Sequence, residues 1–152
     1  WAAFRMAKEV YDGSEPENHG GFFGQGEPNT AYAKYFVGNS YLKPLTDSGK
    51  TVFVANVTFE PGCRNNWHIH PHAAQVLIAV GGRGYYQIEG QEPKELKAGQ
   101  AVCIPADTKH WHGAAPDEAF SHLAFMVPVG DPSLMGNEWL EPVDAEAYGK
   151  LD

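Results

Sequence analysis

The chain has 152 residues, 43% hydrophobic and 20% charged, the balance of one globular domain with a single core. A net charge of -8 gives no basic footprint for nucleic acid, and no apolar run approaches the roughly 20 residues needed to cross a bilayer. The 17 Gly and 11 Pro are spread along the sequence, which predicts many short elements joined by turns.

In chain order, residues 1–11 read as a short helix, with apolar Trp1, Phe4, Met6 and Val10 among Arg5, Lys8 and Glu9. Residues 12–29 read as a Gly/Pro/Asn-rich loop in which His19 is a surface residue. Its Gly20-Gly21 and Gly24-x-Gly26 lack the flanking strand and helix that a phosphate-binding loop needs. From residue 34 the pattern is β. A strand is expected over 35–42, then a turn over 43–49 with Pro44 and Asp47-Ser48-Gly49. Residues 51–59 alternate, placing Phe53, Ala55, Val57 and Phe59 on one face and Val52, Val54, Asn56 and Thr58 on the other. After the turn Glu60-Pro61-Gly62, an apolar strand over 75–80 is expected to end at Gly81-Gly82. Further strands are expected at 84–89, 92–96, 100–104 and 120–129, with Pro105-Ala106-Asp107 as a turn. Asp144 can cap a short helix through Leu151, with Glu146 in its first turn. Short strands at roughly 8–12 residue spacing indicate a sandwich or barrel. The expected organisation is an arm over 1–33, a β-barrel over 34–129 and a C-terminal extension over 130–152.

Two cysteines, Cys63 in a turn and Cys103 in an apolar strand, form neither a disulfide framework nor a zinc-type pair. Both read as reduced, which favours the cytoplasm. The chain opens at Trp1 and not Met, so a processed export signal stays open as the alternative.

The chemistry is concentrated in His68-Ile69-His70 and His110-Trp111-His112, which hold four of the seven histidines. Residues two apart on a strand share a face, so each pair aims two imidazoles in one direction. Convergent imidazoles from separate strands are a means of building a metal site on a β-scaffold. Trp67 and Trp111 alternate with them and are expected on the outer face of the same sheet. Phe53, Val57, Tyr86 and Ile88, and on the last strand His122 and Met126, read either as pocket lining or as plain core.

These steps sit in longer patterns. The first is Gly62, five residues, His68-x-His70, then Gln75 and an apolar run to Gly81-Gly82. The second is Gly99, five residues, Pro105-Ala106-Asp107, two residues, His110. Together they resemble the two motifs of the cupin family, with Asp107 where the family usually has Gly and Gln75 where it usually has Glu. The resemblance implies an all-β cupin fold, a double-stranded β-helix or jelly-roll barrel, with short terminal helices. Among cupins the chain resembles the bacterial manganese hydroxynitrile lyases and the cupins associated with carboxymuconolactone decarboxylases. The residues that carry this are 109–116, 121–124 and Asn137-Glu138-Trp139-Leu140-Glu141-Pro142-Val143.

The resemblance implies one divalent metal ion held by His68, His70, Gln75 and His110, manganese first, with iron, nickel or zinc as alternatives. His72 is the alternative to Gln75 as the ligand that completes the site. A neutral amide in place of a carboxylate leaves the ion its full charge, making it a stronger Lewis acid that is held less tightly. His112 shares a face with His110 and is the expected general base and acid, with a structural, hydrogen-bonded role as the alternative. The function implied is lyase or proton-transfer chemistry of the hydroxynitrile lyase type on a small-molecule substrate. Decarboxylation or ring-opening of a lactone-like acid is a variant of it. The alternatives are a metal-dependent dioxygenase and a non-catalytic cupin that binds a small ligand. The family commonly pairs through its outer sheet, and Trp139, Leu140 and Tyr148 suit such packing, so a homodimer is expected, with a homotetramer as the alternative.

Overall fold

The computed structural model describes residues 19–47 and 52–152; the helix read over 1–11 and the Ser48-Gly49 part of the turn lie outside them. Among the described residues there are twelve strands: β1 Glu27–Pro28, β2 Phe36–Val37, β3 Ser40–Pro44, β4 Ala55–Phe59, β5 Arg64–Asn65, β6 His68–Ile69, β7 Ala73–Ile88, β8 Lys94–Lys97, β9 Ala101–Ile104, β10 His110–Ala114, β11 Phe120–Pro128 and β12 Glu138–Trp139. One short helix, α1 Ala145–Gly149, follows them. The first face of the barrel runs β1-β3-β4-β11-β7-β9, all antiparallel. In the second face, β10 lies beside β7, with β8 on the far side of β7. The short strands β5 and β6 share the other edge of β10, and pair in turn with β2 and β12. The curled all-β architecture matches the expectation, and both flanks of the barrel contribute a strand to it.

Strand β7 departs from the expectation. Gly81-Gly82 does not end it; the strand runs on for 16 residues and serves both faces. Its first part pairs with β11 from Ala73 to Gly82, and its last part pairs with β10 from Gly84 to Ile88. The glycines make room for the bend. Gly82 has φ 67°, and a Cβ there would lie 1.9 Å from the Ala119 carbonyl oxygen. A Cβ on Gly84 would meet Phe120 at 2.3 Å and the Gly113 carbonyl oxygen at 2.4 Å. Glycine here therefore marks a close crossing of backbones, not a turn. The 35–42 stretch is likewise split, with β2 in one face and β3 in the other. Gly38, at φ 88° and tight against Cys63, turns the corner between them. The strand expected over 51–59 begins only at Ala55, where pairing with both β3 and β11 starts.

The core between the two faces holds Phe59, Cys63, Leu77, Ala79, Leu96, Ala114 and Phe120. Burial pushes the Cys63 thiol up to about 12, while Cys103 is exposed, and both cysteines are free. Asn56 and Thr58, on the polar face of β4, are also buried. Asn56 donates to the Gly20 and Gly24 carbonyls at 2.8 and 2.9 Å and accepts from the Ser121 hydroxyl at 2.7 Å. The 19–24 segment thus covers what the alternation alone would leave to water.

A second cluster, Tyr85, Trp111, Ala115, Val143 and Tyr148, lies on the outer side of β10, with Trp67 packed against it as expected. Asp144 caps α1 by accepting from the Ala147 N–H at 2.9 Å, and the helix stops at Gly149, short of Leu151. Tyr148 donates its hydroxyl to the Ala114 carbonyl and Trp139 stacks on Tyr35 at 4.6 Å, so these tail aromatics are taken up within the chain. Asp107 has φ 61°, which explains why glycine is the usual occupant of its position. Its carboxylate accepts from the His72 N–H at 3.0 Å and so bridges two turns, a contact glycine could not make.

Substituting Gly82→Ala should remove about 3 kcal/mol or more of unfolding free energy, because a Cβ there clashes and the residue must also hold a positive φ. Urea denaturation measures this, and a loss below about 1 kcal/mol would mean the crossing has slack that the backbone distances deny.

Candidate metal centre

β6 and β10 are registered so that His68 lies opposite His110, which brings the two His-x-His steps to one place. The rings of His68 and His110 are 4.3 Å apart, and His70 lies 4.9 Å from His68 and 5.6 Å from His110. One ligand atom each from His68, His110 and His112 falls within 4.8 Å of the others. Gln75, the third residue of β7, brings its Oε1 to 3.1 Å from His110 Nε2.

The outer nitrogens decide the tautomers. His68 Nδ1 donates to the Asn66 carbonyl and His110 Nδ1 to the Thr108 carbonyl, each at 2.8 Å. His70 Nδ1 donates to Asn137 Oδ1 at 2.7 Å. Each of the three Nε2 atoms is then a bare lone pair, and that of His70 is buried with no hydrogen-bond partner. His110 Nε2 and Gln75 Oε1, both acceptors, face each other at 3.1 Å, a pairing that a shared cation reconciles. Orphaned acceptors of this kind, each braced from behind, suit a divalent ion of the borderline class. His112 differs from them: its Nδ1 lies 3.2 Å from His122 Nε2, and Asn65 Nδ2 reaches its Nε2 at 3.2 Å. His122 Nδ1 in turn donates to the Leu123 carbonyl at 3.2 Å, so the satisfied arrangement has His112 Nδ1–H donating to His122.

All five imidazoles are held neutral by burial first. The pKa of His68 and that of His112 are pushed well below the ordinary value, with neighbouring imidazoles adding to the effect. His70 is lowered, and His110 and His122 fall to about 4.

His68, His70, His112 and His122, with Gln75, line a pocket of about 250 Å³, and His110 lies just behind that lining. Its other walls are mostly apolar and aromatic, including Phe36, Leu42, Ala55, Phe125 and Trp139, with Asn29, Asn65 and Asn137 as polar members. Among the described residues, none of Asp, Glu, Lys or Arg lines it. Of the residues read from sequence, Phe53, Val57, His122 and Met126 line it. Tyr86 instead packs on the core cluster, and Ile88 is not among the lining residues. His72 sits in a turn at φ 57° and is not among the lining residues. The sequence reading missed Asn65 and Asn137. Asn137 lies within the tail stretch that carried part of the resemblance, but neither residue has a spacing that announces its role.

A family profile described as "Cupin domain" matches residues 55–126. A curated relative, (R)-mandelonitrile lyase from Granulicella tundricola, is 39% identical over 118 residues, which is 76% of this chain and 87% of the relative. The chain belongs to the cupin family. Among solved structures, a cupin-like protein from Thermotoga maritima is 39% identical with a TM-score of 0.75, covering 86% of this chain and 96% of that one. A predicted oxalate decarboxylase from the same organism is similar at 16% identity and a TM-score of 0.56, covering 62% of this chain and 84% of that one, a likeness of fold alone.

The buried imidazoles carry a stability signature in the metal-free protein. Their folded-state pKa values lie below the unfolded value of about 6.5, so between that pH and about 4 the unfolded chain binds more protons. Stability should be fully present above pH ~6.5 and fall as the pH falls through this window. Urea midpoints on chelator-treated protein check it, with His122→Gln reducing the loss; a flat profile would mean the imidazoles are hydrated.

Proposed function

We propose that this chain is a divalent-metal lyase that cleaves or forms the carbon–cyanide bond of a small, uncharged cyanohydrin. The observation that carries the reading is the contrast among the imidazoles. His68, His70 and His110 each have Nδ1 braced from behind, which leaves Nε2 as the free lone pair. His112, whose ring offers a nitrogen within 4.8 Å of His68 and His110, is instead backed by a second imidazole. The named relative supports the choice of reaction, and the pocket without charged side chains suits a neutral substrate with an apolar substituent.

In this reading His68, His70, His110 and Gln75 hold the ion. His112, although as close to His68 and His110, has both ring nitrogens engaged by Asn65 and His122 and serves as the base. The ion, when bound, supplies Lewis acidity toward the substrate's oxygen. His112 Nε2 exchanges its contact with the Asn65 amide for the hydroxyl proton of the cyanohydrin as the carbon–cyanide bond breaks, leaving an aldehyde and cyanide. The depressed pKa of His112 makes it a weak base by itself. His122 Nε2 relieves this by accepting the His112 Nδ1 proton, so the added charge is shared over two rings. Asn65 Oδ1 accepts from the His112 backbone N–H at 2.9 Å and fixes the strand that presents the base. Apolar walls exclude the water that would compete for the proton.

Metal analysis together with a mandelonitrile cleavage assay tests the reading. About one manganese, iron, nickel or zinc per chain is expected, and it should be lost in His68→Ala and His110→Ala. His112→Ala should keep the metal and lose roughly 10²- to 10⁴-fold in turnover. Metal lost with His112 would move that residue into the ligand set. Full turnover in its absence would overturn its role as base.

Gln75→Glu should raise metal retention and lower turnover, since a carboxylate neutralises one unit of the ion's charge. Equal or faster cleavage by this variant would rule out the charge argument.

A further inference from the structure

The three braced imidazoles are not braced alike. His68 and His110 each donate Nδ1–H to the backbone carbonyl two residues upstream, a contact the local strand provides by itself. His70 instead depends on a side chain 67 residues away, Asn137, in the C-terminal extension beyond the segment matched by the family profile. We infer that Asn137 is a positioning residue for the metal centre: it selects the His70 tautomer, making the tail a working part of the site. The inference rests on the metal-site reading above.

The His70 Nε2 is buried and makes no hydrogen bond, and a proton there would give up the Asn137 contact and have only Gln75 nearby to turn to. With Asn137 Oδ1 at 2.7 Å from Nδ1, the proton is held on the outer nitrogen and the inner lone pair faces the cluster. An acceptor behind a metal-binding imidazole fixes ring orientation and raises its basicity. Asn137 is in turn fixed by the fold. The Gly136 N–H donates to the Pro71 carbonyl at 3.3 Å, just after His70. β12 pairs with β6, placing Glu138 opposite Ile69 and Trp139 opposite His68. Beyond it, the Leu140 N–H donates to the Trp67 carbonyl and the Trp67 N–H to the Glu141 carbonyl, at 2.8 and 3.0 Å. Asn66 Nδ2 donates to the Leu140 carbonyl at 3.2 Å, and Lys109 pairs with Glu141. Every one of these contacts joins the tail to a strand that carries a cluster histidine or to the residues beside it. The tail is therefore registered against β6 residue by residue, and Asn137 arrives at His70 as part of that register.

The test compares Asn137→Leu, which removes the acceptor at similar volume, with Asn137→Asp, which keeps an acceptor and adds charge. Nitrogen-15 NMR of the imidazoles in metal-free protein should report His70 protonated at Nδ1 in the parent and in Asn137→Asp. In Asn137→Leu it should shift toward Nε2–H. Manganese and zinc titrations should give roughly a 10- to 100-fold weaker Kd for Asn137→Leu, with Asn137→Asp at or above parental affinity. Circular dichroism and urea midpoints identify any general loss of fold, and the aspartate variant guards against it by preserving the contact. If the parent binds metal and the leucine variant has the same tautomer and the same Kd, the positioning role is overturned. Should the parent bind neither metal, the metal-site reading fails, while the NMR arm still decides whether Asn137 sets the tautomer.

Discussion

One strand has to serve two sheets, and the site depends on how it does so. β7 pairs with β11 along its first part and with β10 along its last, and the bend between them is possible because Gly82 and Gly84 carry no Cβ where backbone and Phe120 pass at contact distance. The first part delivers Gln75 to the cluster, and the last part sets the register of β10, and with it the height of His110 and His112. β6 then takes its register from β10, and β12 takes its own from β6. A slip of one residue anywhere in this series would turn the imidazoles to the outer face, where Trp67 and Trp111 now pack. The placement of the donors is thus a property of sheet register before it is a property of any single side chain.

Collecting five imidazoles in one buried place is tolerable only if they stay uncharged. Burial does most of this, and mutual repulsion makes a second proton costlier than the first. The neutral state also makes each ring both a donor and an acceptor, so the contacts behind the rings decide which lone pair faces inward. Backbone carbonyls settle two rings, Asn137 settles a third, and His122 with Asn65 settles the fourth. Among the described residues, the charged side chains stay off the pocket wall.

Period-2 alternation and turn residues made the barrel legible from the sequence, and the two His-x-His steps made four of its five site imidazoles legible. His122 was open between pocket and core, because a strand face gives direction but not depth. The glycines of β7 misled because Gly-Gly marks a turn in most contexts, and its use as a crossing depends on Phe120 and Gly113, far off in sequence. Alternation places Asn56 on the face opposite Phe59 but does not say what covers that face, because the covering segment lies more than thirty residues upstream. Asn137 is legible only as part of a tail pattern, since its partner is fixed by strand pairing that no local rule predicts. Asp107 shows the converse. A departure from the family pattern at one position became intelligible once its positive φ and its contact with the His72 N–H were seen.

The small polar layer of Asn56, Thr58 and Ser121 sets a limit on how far the chain can be shortened from its front. These side chains sit in a dry place, and Asn56 satisfies both of its amide hydrogens on the carbonyls of Gly20 and Gly24. Trimming past those residues would remove no part of the barrel's strand pairing around β4. It would nevertheless leave a buried amide without acceptors, an expense of about 1–3 kcal/mol for each stranded group. A domain with a typical stability of about 5–15 kcal/mol has little room for that loss. The minimal folding unit therefore reaches back to Gly20, ahead of β1.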